Sequence, residues 1–337
     1  MPPHAAEPPL SAVDPPVGDP PVGGPPVGGP VDIRVDDWVD RRLPPSWRPY
    51  ARLARLDRPI GTWLLLIPCW WGVALAAQVG DDPLAAPGGW PDPWLMILFG
   101  VGAVVMRGAG CTVNDIVDRE YDGRVARTRT RPIPSGQVTV RRALVFLAAQ
   151  LLLGLAVLLM LGETAIWLGV ASLGLVVTYP FMKRITWWPQ FVLGLAFNWG
   201  ALMCWAAVRG TVDLPALVLY AAGIAWTLGY DTIYAHQDKD DDERIGLKST
   251  ALLFRERTSW WLWGFYAVAI SGIGAAAILA GLGTTFQLPF VVAAGHLAWQ
   301  VLTLRIDDPA DCMRKFRSNR DFGLIILAGI VGARVLG

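Results

Sequence analysis

Apolar runs of membrane-spanning length alternate with short polar connections along most of this chain. The runs fall near 61–79, 94–113, 142–161, 164–182, 189–208, 215–235, 259–280, 286–304 and 320–336. A helix needs about 17–25 residues to cross a bilayer. Backbone in lipid has no water to bond, so its N–H and C=O groups must pair within the segment, and each run predicts an α-helix. The pattern therefore predicts an all-α integral membrane protein, multi-pass, with about nine transmembrane helices in residues 61–337.

Two stretches precede the runs. Residues 1–30 repeat PPVG with variations, which predicts an extended, unpacked Pro/Gly-rich tail. The tail has no apolar core of a secretory signal, and its acidic residues and lack of arginine before Arg34 argue against a mitochondrial transit peptide. Residues 31–60 interleave Trp38, Trp47, Tyr50, Leu53 and Leu56 with Arg41, Arg42, Arg48, Arg52, Arg55 and Arg58. That pattern predicts an interfacial amphipathic helix with arginines toward lipid headgroups, ended by Pro59.

Composition agrees with a membrane protein. Of 337 residues, 53% are hydrophobic and 17% charged, against about 25% charged in soluble domains. A net charge of +1 gives no bulk attraction to nucleic acid. Cys69, Cys111, Cys204 and Cys312 lack the spacing of a zinc site or disulfide framework, and the three histidines, His4, His236 and His296, suggest no metal site.

Charge distribution says more than its sum. The connections after the second, fourth, sixth and eighth runs carry most of the basic residues, from Arg119 to Arg320. The opposite connections carry only Arg209. The positive-inside rule puts the N terminus and the basic loops on the cytoplasmic side, and the expected location is the cell inner (cytoplasmic) membrane.

Candidate chemistry sits at two helix ends on that side. Asn114, Asp118 and Asp122 are spaced i, i+4, i+8. Each step of four residues drifts only about 40° around a helix, so the three side chains form one stripe. Hard oxygen donors of this kind suit Mg²⁺, which takes one or two carboxylates and completes its shell with water and substrate phosphates. Arg124, Arg127, Arg129 and Arg131 follow directly, and guanidinium groups match phosphate oxygens with paired donors. Asp238 and Asp242 repeat the i, i+4 spacing after another apolar run, with Lys248 behind them. Two acidic helix ends, each followed by basic residues, look like halves of one site for a diphosphate and its metal ions.

Other charged residues lie close to the same helix ends. Arg107 lies inside the second run, where an isolated charge costs at least about 2.5 kcal/mol. It needs a partner, either Asp115 or Asp231 in a structural pair, or an acidic substrate. Arg55 and Arg58 stand at the entrance to the first run. Tyr179, Lys183 and Arg184 end the fourth, where the two cations serve either as topology charges or at the site. Pro132, Pro134 and Gly136 turn the chain so that the Arg-rich loop folds back as a lid.

In sequence order these strings are MRGAGCTVND with Asp118 and Asp122, RPIPSGQVT, TYPFMKR, and YDTIYAHQDKDDD leading to IGLKSTALLF. Together they resemble the UbiA superfamily of intramembrane prenyltransferases over about residues 50–336. Within it the chain is most similar to the 4-hydroxybenzoate polyprenyltransferases of ubiquinone biosynthesis. The resemblance implies a helical bundle around a central cavity, with Asn114, Asp118 and Asp122 holding one Mg²⁺ and Asp238 and Asp242 a second. It implies catalysis by Asp118, Asp122, Asp238 and Asp242. Arg127, Arg131 and Lys248 would bind diphosphate, Tyr179 and Lys183 would face substrate, and either Arg58 or Arg107 would meet the aromatic carboxylate or phosphate. The implied reaction moves a polyprenyl group from its diphosphate to the ring of 4-hydroxybenzoate, ortho to the hydroxyl. Other acceptors, a naphthoate, a haem or glycerol phosphate, share the acidic motifs. A cation transporter is the reading from another class. Against it, the carboxylates lie at helix ends on one side and not along a path through the bilayer.

Overall fold

The computed structural model describes residues 36–79, 90–123 and 128–335, so the expected tail over 1–30 lies outside it. Among the described residues every regular element is helical. In chain order they are α1 (Trp38–Arg42), α2 (Arg48–Leu53), α3 (Ile60–Ala76), α4 (Pro93–Val117), α5 (Arg119–Asp122), α6 (Val140–Leu158), α7 (Glu163–Thr178) and α8 (Met182–Ile185). Then follow α9 (Pro189–Arg209), α10 (Leu214–Ala235), α11 (Lys239–Ile245), α12 (Thr250–Phe254), α13 (Thr258–Leu279), α14 (Gln287–Thr303) and α15 (Pro309–Val335).

Helices cover all nine predicted runs. Among the described residues, six segments are long and apolar enough to cross a membrane: Pro93–Val117, Val140–Leu158, Glu163–Ile185, Pro189–Arg209, Leu214–Ala235 and Thr250–Leu279. Ile60–Ala76 is apolar but shorter. The last predicted run begins eleven residues early, at Pro309. Its first turns carry Asp311 and Lys315, buried at 2% and 0% exposure. Lys315 Nζ lies 3.2 Å from Asp311 Oδ1 and 4.4 Å from the centre of the Trp299 ring. The charges neutralise each other inside the protein, which an apolar window along the sequence does not register.

The bundle is organised on α10, which packs against α9, α13 and α15. Trp71 of α3, Trp226 of α10 and Phe322 of α15 meet with ring centres 5.2–6.1 Å apart. Their polar edges are satisfied: Trp226 Nε1 donates to Asn319 Oδ1 at 2.8 Å and Trp71 Nε1 to the Gly323 carbonyl at 2.9 Å. In lipid, burial of apolar surface drives helix association little, so close packing and such buried hydrogen bonds carry the contacts. Small residues permit the approach. A Cβ on Gly72 of α3 would stand 2.6 Å from the Ala201 carbonyl oxygen of α9. By contrast α6 and α7 expose most of their surface, as lipid-facing helices do.

The expected single amphipathic helix over 31–60 is corrected to two short ones, α1 and α2, separated by Pro44 and Pro45. Two of its arginines turn to protein carboxylates and not outward: Arg52 Nη2 lies 2.6 Å from Asp40 Oδ1, and Arg55 Nη2 lies 2.6 Å from Asp115 Oδ1. Trp38 and Trp47 remain exposed, at 43% and 67%.

Candidate active site

Both acidic segments are built alike. α4 ends at Val117, Asp118 caps it, and α5 carries the chain to Asp122. The Asp118 N–H donates to the Asn114 carbonyl and the Asp122 N–H to the Asp118 carbonyl, both at 2.8 Å. Two i→i−4 bonds thus span the break, from 118 to 114 and from 122 to 118, although α4 and α5 are separate helices. In the second segment α10 ends at Ala235 and α11 starts after Asp238. The Asp242 N–H donates to the Asp238 carbonyl at 2.8 Å, and Gly246, at φ 74°, ends α11. The Leu247 N–H then returns to the Asp242 carbonyl at 2.8 Å. Asp122 and Asp242 are both buried, at 8% and 6% exposure.

The segment from Tyr179 to α8 joins the two. Arg184 Nη2 lies 3.7 Å from Asp118 Oδ1. On its other side the Lys183 carbonyl accepts the Lys248 N–H at 2.9 Å. Tyr179 and Lys183 lie within electrostatic reach of Asp231, as does Arg107. Arg131 Nη1 donates to Asp122 Oδ2 at 2.8 Å and stands 3.5 Å from Asp115 Oδ1. Its loop is anchored where Ile133 and Val138 pack on Leu53 and Ala143.

The other expected residues divide. Arg127 lies outside the described residues. Lys248 does join the two segments through its backbone, but its ammonium donates to the Ile185 carbonyl at 3.1 Å and sits 5.9 Å from the Trp187 ring centre. Arg58 Nε lies 3.2 Å from Asp57 Oδ2. Arg107 pairs with neither of its expected partners by a hydrogen bond. Its Nε is buried with no hydrogen-bond partner, and its guanidinium carbon lies 5.7 Å from the Phe197 ring centre. Asp115 goes instead to Arg55 and Arg131. Sequence reasoning gave Asp115 no site role, although its place beside Asn114 was visible. His236, buried ahead of Asp238, bonds Thr258 through Nε2 at 2.9 Å while Nδ1 has no partner. Burial pushes its imidazole down to about 4.

Donor chemistry tests whether Mg²⁺ fits. Burial raises the Asp118 and Asp122 carboxyls above the usual range, outweighing the lowering by Arg184 and Arg131 respectively. Carboxylates held this way gain from added positive charge. Among the described residues no three His, Cys, Asp or Glu side chains form a protein-only metal cage. The donors fit a hard cation that shares its shell with substrate oxygens.

Comparison with known proteins matches this arrangement to a family. The UbiA prenyltransferase family profile matches residues 65–325. A Drosophila pseudoobscura pseudoobscura protein named "4-hydroxybenzoate polyprenyltransferase, mitochondrial" is 54% identical over 289 residues, 84% of this chain and 70% of the relative. The Bos taurus protein of the same name is also 54% identical, over 86% of this chain and 76% of its own. A UbiA homolog from Archaeoglobus fulgidus, solved bound to GPP and Mg²⁺, shares the fold at TM-score 0.63 and 17% identity, over 86% of this chain and 100% of that one.

These relatives overturn the expected location in a cell inner (cytoplasmic) membrane with cytoplasmic loops, because both are mitochondrial proteins by name. The asymmetry of basic residues orients a bundle across a bilayer and carries no information on which bilayer. Profile, relatives and fold agree along most of the chain, and it belongs to the UbiA prenyltransferase family, as an enzyme of prenyl transfer.

Proposed function

We propose that this chain is an Mg²⁺-dependent 4-hydroxybenzoate polyprenyltransferase of a mitochondrial membrane. The names of its relatives support acceptor and compartment alike. The observation that supports the site is the 179–185 segment, which approaches Asp118 through Arg184 and bonds the Lys248 N–H through the Lys183 carbonyl. In this reading α3, α14 and α15 add three spans to the six, and both acidic ends open on one side of the bundle.

The reaction breaks the allylic C–O bond of the prenyl diphosphate, and diphosphate leaves with the electron pair. A C–C bond forms at the ring carbon ortho to the hydroxyl, and that carbon's proton passes to the released diphosphate. Diphosphate is a poor leaving group until its charge is met; Asn114, Asp118 and Asp122, with Asp238 and Asp242, would hold Mg²⁺, which would supply Lewis-acid charge there. Arg131, with Arg127 and Lys248, binds phosphate oxygens and steadies the growing negative charge. Tyr179 and Lys183 face the substrates between the two acidic ends. The anchored 131–138 loop excludes water, which would otherwise capture the allylic cation.

Arg107 is the anchor for the acceptor's carboxylate, in preference to Arg58. Both carry a buried guanidinium nitrogen without a hydrogen bond, Nε of Arg107 and Nη2 of Arg58, a costly state that a ligand carboxylate would relieve. Arg58 already meets Asp57 through Nε, whereas Arg107 has no carboxylate within hydrogen-bond distance among the described residues. An apolar groove of about 440 Å³ runs along α4 before Arg107, lined by Trp70, Met96, Ile97, Gly100, Val101, Val104 and Val105. It suits an isoprenoid tail entering from lipid.

An acceptor panel tests the assignment. Purified protein in lipid is given a labelled polyprenyl diphosphate with 4-hydroxybenzoate, a dihydroxynaphthoate or glycerol phosphate. Label is expected on 4-hydroxybenzoate alone. Preferred transfer to either of the others would overturn the acceptor and leave the family in place.

A further inference from the structure

Asp115 is not among the groups assigned above to metal or substrate, yet it is more deeply buried than Asp122 or Asp242, at 0% exposure, and its Oδ2 has no hydrogen-bond partner. A carboxylate taken out of water at a helix end is costly unless cations hold it. Here two do: Oδ1 lies 2.6 Å from Arg55 Nη2 and 3.5 Å from Arg131 Nη1. The same Arg131 nitrogen lies 2.8 Å from Asp122. One guanidinium is thus shared between a carboxylate that would bind metal and one that would not. When diphosphate arrives, Arg131 must turn donors to phosphate and Asp122 must turn to the cation. Asp115 remains to hold Arg131 in register.

Its other partner is held unusually. Arg55 has φ 57°, the left-handed region that side-chain-bearing residues seldom occupy. Its Nη1 donates to the Arg52 carbonyl at 2.9 Å while Nη2 meets Asp115. Backbone in such a region persists where the surroundings over-determine it. Asp115 therefore joins α4, the arginine loop after α5 and the link between α2 and α3.

We propose that Asp115 is a positioning residue that holds Arg131 for the diphosphate and pins the α2–α3 link to the site. This rests on the reading above only in giving diphosphate to Arg131. A purely structural pair with Arg55 predicts lost stability without selectivity between substrates. Positioning predicts a selective effect. Asp115→Asn, close in shape, should raise KM for the prenyl diphosphate about tenfold and leave KM for 4-hydroxybenzoate within about twofold, since a charge-assisted contact is lost on one substrate only. Combined with Arg131→Gln it should add little to the loss from Arg131→Gln alone, because coupled groups are non-additive. Thermal stabilisation of the solubilised protein by inorganic diphosphate with Mg²⁺ should weaken in parallel. Should Asp115→Asn not fold, Asp115→Glu keeps the charge, displaces it, and should show the same selective rise. Equal KM changes for both substrates, or full additivity with Arg131→Gln, would overturn the proposal. A wild type unresponsive to diphosphate would overturn the functional reading itself. A responsive wild type with an equally responsive Asp115→Asn would overturn this inference alone.

Discussion

Arg107 shows most directly how a single residue reports function. A guanidinium within a membrane helix, with its Nε buried and unpartnered, is a costly ground state. Replacing it by Gln is expected to raise KM for 4-hydroxybenzoate by one to two orders of magnitude. A hydrogen bond to a charged group is worth about 1.5–3 kcal/mol. KM for the prenyl diphosphate should hold, and steady-state kinetics with each substrate varied in turn checks both. The presence of Arg107 was legible in the sequence, because a charge inside an apolar run stands out. Its lack of a pairing carboxylate was not, because Asp115 competes in space with partners brought from distant segments, Arg55 and Arg131. Spacing along one helix is local information, and choice among cations is not.

The two acidic stripes were legible as elements because the i, i+4 rule holds wherever the backbone stays helical. At Asp118 the helix breaks, and two 2.8 Å bonds, from the 118 N–H to the 114 carbonyl and from the 122 N–H to the 118 carbonyl, span it. The amphipathic stretch ahead of α3 was misread as one helix. Pro44 and Pro45 interrupt it, and two of its arginines, Arg52 and Arg55, pair with protein carboxylates. The early start of α15 was hidden for the same physical reason: Asp311 and Lys315 cancel each other inside the protein. Packing of α3 on α9 depends on Gly72, since a Cβ there would meet the Ala201 backbone oxygen at 2.6 Å. Gly72→Val is expected to cost about 1–3 kcal/mol, as overpacking does. It should lower the melting temperature in detergent while leaving KM values near wild type.

At the scale of the whole molecule, hydropathy and charge asymmetry predict a multi-pass bundle, and the helices cover every predicted run. They do not identify the membrane; the relatives that overturn the expected cell inner membrane are mitochondrial by name. The 179–185 segment touches chain far apart in sequence, Asp118 through Arg184 and Lys248 through the Lys183 carbonyl. In the proposed function, prenyl transfer needs both acidic ends at once. The direct measurement is Mg²⁺-dependent transfer from a polyprenyl diphosphate to labelled 4-hydroxybenzoate by wild type, Asp118→Ala and Asp242→Ala in lipid, each checked for folding by thermal melting. The account predicts label in the lipid extract for wild type, none with EDTA, and a loss of at least about 100-fold in each variant, as when a charge-stabilising group is removed. A folded variant of either kind that transfers at the wild-type rate would contradict it.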